Sequence, residues 1–297
     1  DNGTSNGVPK GELPAGSFRG FNAHMRGKKS TVYEGGHRVP CFLHWPAGGM
    51  KEGKDFHGLT AHLDLLPTLL DLCEIQLPQD HCPDGTSFAA NIRDEKLPAH
   101  RHHYIAQLHG GAGFSHPEEP WDTSCVCKGP WRLINGIELY DLRTDHSQQN
   151  NIAEDHPEVI TELRSLYEAF WKSVSPRMEP VAIDIGNPLD NPTTLCSQDW
   201  YLPFGNPPWN FNAINRRVPI TGPWHIMVQQ NGKYRITLRQ LPKEANKPLI
   251  AERASLTVAG KTHEANIYDG SSHVHFTVDL PAGKTELITR FLNPNES

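Results

Sequence analysis

Apolar positions recur every three or four residues from His156 to Lys172, where Val159, Leu163, Leu166, Tyr167 and Phe170 form one stripe. That spacing predicts an amphipathic helix, with Asp155 and Glu158 at capping-box separation and Pro176 and Pro180 stopping it. A shorter stripe predicts a helix over Leu63–Cys73, with Leu66, Leu69, Leu70 and Cys73 on its apolar face and Asp64 at its start. Both stripes are read as core packing. The run from Val39 to Pro46 is apolar and closed by proline, which fits a short buried strand. Trp131–Ile134 and Ile137–Leu142 flank Asn135-Gly136, the preferred pair for a type I′ hairpin turn.

From about residue 181 the period changes. Alternating runs at His225–Gln230, Lys233–Arg239, Ala254–Val258, Val274–Leu280 and Glu286–Phe291 predict several short strands. Asn231-Gly232 reads as a tight hairpin between the first two, and Ala282-Gly283 as a turn between the last two. The pattern therefore divides the chain into a part with helices and strands over residues 1–180 and an antiparallel, all-β sandwich-like part over 181–297.

Composition narrows the function classes only by exclusion. The 297 residues carry a net charge of −6, which argues against a nucleic-acid partner. Mean hydropathy is −0.55, and no apolar run approaches the roughly 18 residues of a membrane span. The sequence opens without Met and without a signal-like segment, and it reads as a piece of a longer protein. Of the six cysteines, Cys41 and Cys73 sit in apolar surroundings and are expected as buried thiols. Cys125-Val126-Cys127 lacks the C-x-x-C spacing of a redox or zinc pair.

The densest chemistry lies between Met25 and Pro40. Four cations (Arg26, Lys28, Lys29 and Arg38), Glu34, His37 and three glycines share these sixteen positions. Cationic side chains among glycines can surround a tetrahedral oxyanion, because the backbone can approach closely.

Five ordered stretches resemble the sulfatases of the arylsulfatase type, whose fold is the alkaline-phosphatase-like α/β fold. Asp1-Asn2-Gly3 is similar to the family's S-D-N-G metal motif, and the stretch from Arg26 to Pro40 to its basic, glycine-rich E-G-G-x-R-V-P block. Thr60–Leu72 is similar to a D-x-x-P-T helix, Asp84-Gly85-Thr86-Ser87 to a D-G-x-S turn, and Glu138–Leu142 with Gln149-Asn150-Asn151 to E-L-Y-D-L…N. The likeness covers roughly residues 1–175; beyond 181 it is one of pattern only.

The resemblance implies a sulfuric ester hydrolase, acting on a sulfated carbohydrate or aryl sulfate and exported to periplasm, cell exterior or lysosome. It implies Asp1 and Asn2 as ligands of Ca2+, with Mg2+ as the alternative ion, and Lys29 as the catalytic lysine touching sulfate. Lys28 stands where the family usually has glycine, and Glu34 and Arg38 are read as structural. His102 and His109 are carried as substrate-binding candidates, against a plain surface role. The family nucleophile is a formylglycine made within C-x-P-S-R, a motif that does not occur here. Its source is therefore expected to be an N-terminal half acting as partner, with these residues alone inactive. Tryptophans at 121, 200, 209 and 224 are candidates for stacking on sugar, weighed against core packing. Two other classes stay open: a non-catalytic glycan-binding or structural module, and a related phosphate or phosphonate ester hydrolase.

Overall fold

A computed structural model describes residues 3, 22–50, 53, 55–77, 80–93, 103–108, 120–202, 207–208, 210–216 and 219–293. These fall into two compact units that meet in sequence between Pro176 and Arg177.

The first unit opens with a short helical turn, α1 (Glu34–His37), followed by α2 (Leu65–Leu72) and α3 (Ala89–Arg93). Then comes a four-stranded antiparallel sheet in sequence order: β1 (Tyr104–Gln107), β2 (Ser124–Lys128), β3 (Trp131–Ile134) and β4 (Glu138–Asp141). Helix α4 (Pro157–Val174) closes it. The β3–β4 turn places Asn135 at φ 50° and Gly136 at φ 71°, the left-handed pair a type I′ turn requires. Because strand side chains alternate, register sorts this sheet into two faces. The row Val126, Leu133 and Leu139 lies on one face and packs against Leu163 and Tyr167 of α4, all fully buried. Cys125, Cys127, Arg132, Ile134, Glu138 and Tyr140 belong to the other face, the one that meets the basic glycine block.

Several expectations for this unit are corrected. The N-cap of α4 is His156, and no capping box forms from Asp155 and Glu158. Val39–Trp45 is not a strand; Phe42 is 91% exposed, because no described strand pairs with this segment and prolines 40 and 46 bring no N–H to a ladder. The predicted apolar face of α2 is also turned outward, with Leu66 at 50% and Leu69 at 48% exposure. Pro67, Thr68 and Leu72 are buried instead, since Thr68 accepts from Phe88 N–H and donates to the Asp64 carbonyl. Cys41 and Cys73 are exposed, whereas Cys125 and Cys127 are buried.

The second unit holds β5 (Ile183–Ile185), a short helix α5 (Phe211–Asn215), β6 (Trp224–Val228), β7 (Gly232–Leu238), β8 (Arg253–Val258), β9 (Lys261–Asn266), β10 (Val274–Leu280) and β11 (Gly283–Leu292). Five strands form a sheet in the order β5-β6-β11-β8-β9, and β10 and β7 form a separate pair. One core draws on both, with Ile226, Leu256 and Leu287 from the larger sheet and Leu238, Phe276 and Val278 from the smaller. The pairing is not wholly antiparallel, because β5 runs parallel to β6.

Asn231-Gly232 does not close a hairpin. It carries the chain from β6 in one sheet to β7 in the other, and Ala282-Gly283 returns it from β10 to β11. Both edges of β6 are already taken by β5 and β11, so the chain turns over the core instead. Asn231 Oδ1 accepts the Ala282 N–H at 2.6 Å and ties the two crossings together. The strand β9 escaped the pattern because Lys261–Asn266 is polar, as suits an edge strand.

Candidate functional site

The basic glycine stretch folds as a tight turn leading into α1. Thr31 N–H and Oγ1 both bond the Lys28 carbonyl, at 2.9 and 2.8 Å, so Lys28, Lys29 and Ser30 project together as an exposed tip. Lys29 makes no hydrogen bond or ion pair among the described residues.

Behind that tip the backbone is packed too closely for side chains. A Cβ on Gly36 would lie 2.0 Å from the Thr31 carbonyl oxygen, and one on Gly35 would lie 2.4 Å from that of Gly27. Glycine is therefore required at both positions. Gly3 joins the same arrangement: its N–H donates to the Gly36 carbonyl at 3.0 Å, and a Cβ there would meet Gly35 O at 2.1 Å.

Glu34 anchors the turn from beneath. It is 1% exposed, accepts from Arg132 Nε at 2.5 Å, and has Arg38 at 3.4 Å and His37 at 3.8 Å. Burial alone would raise its carboxyl, but Arg132, His37 and Arg38 together hold it below the usual range. The structural reading of Glu34 and Arg38 is thus what the fold uses. Gln148, fully buried, accepts from Glu34 N–H at 2.8 Å, and its carbonyl accepts from Arg26 at 3.0 Å.

Arg26 lies over the Tyr33 ring, 3.9 Å from its centroid, and donates to Tyr140 Oη. Tyr33 and Tyr140 both donate to Glu138 Oε2, at 3.0 and 2.5 Å. Burial and then Glu138 push both phenols above their ordinary range, so they act as donors. Of the four cations in the stretch, Arg26 is tied into this polar frame, Arg38 pairs with Glu34, and the two lysines are turned to solvent.

Among the sequence candidates, Asp1, Asn2, His102 and His109 lie outside the described residues, as does Trp209. The other tryptophans pack. Trp121 stacks on Tyr167 with centroids 3.8 Å apart, and Trp200 meets Trp224 edge to face while Trp224 Nε1 donates to Cys196 O. The supports that sequence reasoning missed are Arg26, Arg132, Glu138 and Gln148. Three of them sit at regular positions of the β3–β4 hairpin or its following loop, a signal visible only once strand register is known.

A profile of the family described as "N-sulphoglucosamine sulphohydrolase, C-terminal" matches residues 24–172, which include the turn, α1, the four-stranded sheet and most of α4. The chain is 29% identical over 177 residues to N-acetylgalactosamine-6-O-sulfatase of Bacteroides thetaiotaomicron, covering 52% of this chain and 32% of that protein. It is 26% identical over 212 residues to the uncharacterized sulfatase YdeN of Escherichia coli, covering 61% of this chain and 36% of that protein. Mouse steryl-sulfatase is 34% identical over 202 residues, covering 59% and 32%. The chain thus spans about a third of the length of the curated relatives it matches. With the profile covering half of its residues, the chain belongs to the N-sulphoglucosamine sulphohydrolase C-terminal family and contributes a C-terminal sulfatase-type region.

Proposed function

We propose that this chain supplies the cationic side of a sulfate-ester hydrolase site, with Lys29 as the group that touches the sulfate. Hydrolysis of a sulfate ester builds negative charge on the sulfuryl oxygens and the leaving group, and a fixed ammonium stabilises it. Lys29 suits this role because it stands free on a tip whose backbone is locked by Thr31, Gly35 and Gly36. Lys28, exposed beside it, faces solvent or the outer part of the substrate.

One observation carries the reading. Gly3 is hydrogen-bonded to Gly36 in a cradle that any Cβ would fill, so the chain directly after Asn2 is fastened to the block bearing Lys29. The donor chemistry of Asp1 and Asn2, a carboxylate and an amide oxygen, suits a hard divalent cation such as Ca2+. When bound, the ion would supply further positive charge to the sulfate. The nucleophile is assigned to a formylglycine in a region outside these 297 residues. On this reading the first unit is the C-terminal part of an alkaline-phosphatase-like catalytic domain, and the second a β-sandwich-like accessory domain. The substrate class is a sulfated carbohydrate or aryl sulfate, met outside the cytoplasm.

The test is complementation. The 297 residues joined to a region bearing an in-frame C-x-P-S-R should release sulfate from an aryl sulfate, and the 297 residues alone should not. Turnover by the chain alone, unaffected by Lys29→Ala, would sink the proposal.

A further inference from the structure

On the sheet face beneath α1, three side chains with soft donor atoms converge in a buried position. The Sγ atoms of Cys125 and Cys127 lie 3.5 Å apart on adjacent inward positions of β2. A ring nitrogen of His37, the last residue of α1, joins them, with all three ligand atoms within 4.8 Å of one another. We propose that His37, Cys125 and Cys127 form a structural zinc site that fastens the α1 turn to β2.

The spacing fits the ion. Zinc–sulfur bonds of about 2.3 Å at tetrahedral angles put two thiolates about 3.8 Å apart, close to the separation present here. The i, i+2 spacing, unpromising as a loop motif, works on a strand, where alternation aims both thiols to one side. Tyr104 Oη, 3.4 Å from His37 Nδ1, borders the three ligands, and the fourth position is left for water.

The charges also balance. The Arg132 charge is already matched by Glu34. A divalent ion bound by two thiolates would therefore leave the cluster neutral, the two thiol protons passing to solvent as the Zn–S bonds form. Because the cysteines are fully buried, loading would accompany folding rather than follow it.

The experiment uses the whole chain, folded with Zn2+ alone and then with Co2+ in its place. The expected result is one metal ion per chain by elemental analysis and, for cobalt, a thiolate-to-metal charge-transfer absorption. Cys127→Ser and His37→Gln should each weaken binding at least tenfold, while Cys41→Ser and Cys73→Ser should not. Absence of the charge-transfer band in the unmutated chain overturns the site whether or not the variants fold. So does metal held with unchanged affinity in both site variants. A Cys125–Cys127 disulfide, seen as a mass lower by two hydrogens and resistance to alkylation, also overturns it.

Discussion

Arg132 Nε donates to Glu34 Oε1 at 2.5 Å, and the two side chains, 98 residues apart, are 7% and 1% exposed. This pair joins the turn that carries Lys29 to the four-stranded sheet of the first unit. Its energetic weight lies in what happens when one partner is lost. Arg132→Met leaves the buried carboxylate with Arg38 and His37 as its ion partners among the described residues, and should destabilise the first unit by about 3–5 kcal/mol. Replacing both residues with apolar ones should cost less than that single change. Urea unfolding followed by Trp121 and Trp131 fluorescence would measure both; equal losses would contradict the pairing.

The same pair sets an acid sensitivity. The Glu34 carboxyl ionises below its ordinary value in the folded chain. Its contribution is therefore fully present above the unfolded carboxylate value and is lost as pH falls through the folded one. Stability of the first unit should drop on acidification, and Glu34→Gln should flatten that drop while lowering stability at neutral pH. A variant with the unmutated pH profile would show that other carboxylates govern it.

Backbone closeness at the glycines predicts a sharp size limit. Gly36→Ala brings a Cβ to 2.0 Å from the Thr31 carbonyl oxygen, which the chain can relieve only by moving. Overpacking of this kind costs about 1–3 kcal/mol. Thermal unfolding should show the loss, whereas Gly129→Ala, in open space, loses only what its φ of 52° imposes. Equal shifts in the two variants would contradict the tight turn.

Tyr167 offers a test of the opposite sheet face. Its hydroxyl accepts from Trp121 N–H at 2.8 Å and donates to Gln107 Oε1 at 2.9 Å. Tyr167→Phe keeps the ring and its stacking on Trp121 but strands both partners, so a loss of about 1–3 kcal/mol is expected in denaturant unfolding. A neutral substitution would mean that water replaces the hydroxyl.

Much of the fold was legible where local pattern and burial agree. The α4 stripe, the Asn135-Gly136 hairpin and the alternation of Val274–Leu280 each have one face to bury and a period that says which. The misses came where local pattern underdetermines the partner. Asn231-Gly232 has ideal hairpin chemistry, yet β7 pairs with β10 because β6 has no free edge. Val39–Trp45 and Leu66 read as buried by composition but are exposed. At the turn, the motif marked out Glu34 and the close-packed glycines. Arg132 and Gln148 came into view only through sheet register and a loop that returns to Glu34.

The assignment of Lys29 is tested most directly by steady-state kinetics on the complemented sulfatase with a soluble aryl sulfate. Lys29→Ala should lower kcat/KM by about 10²–10³, the range for loss of one charge-stabilising group in a preorganised site. Thermal stability should not change, because Lys29 is exposed and unpaired among the described residues. Lys28→Ala should leave kcat within about threefold, since Lys28 stands where the resembled family usually has glycine and is given no contact with the sulfate. Equal effects of the two substitutions, or a Lys29→Ala enzyme with unmutated kcat/KM, would contradict the role given to Lys29.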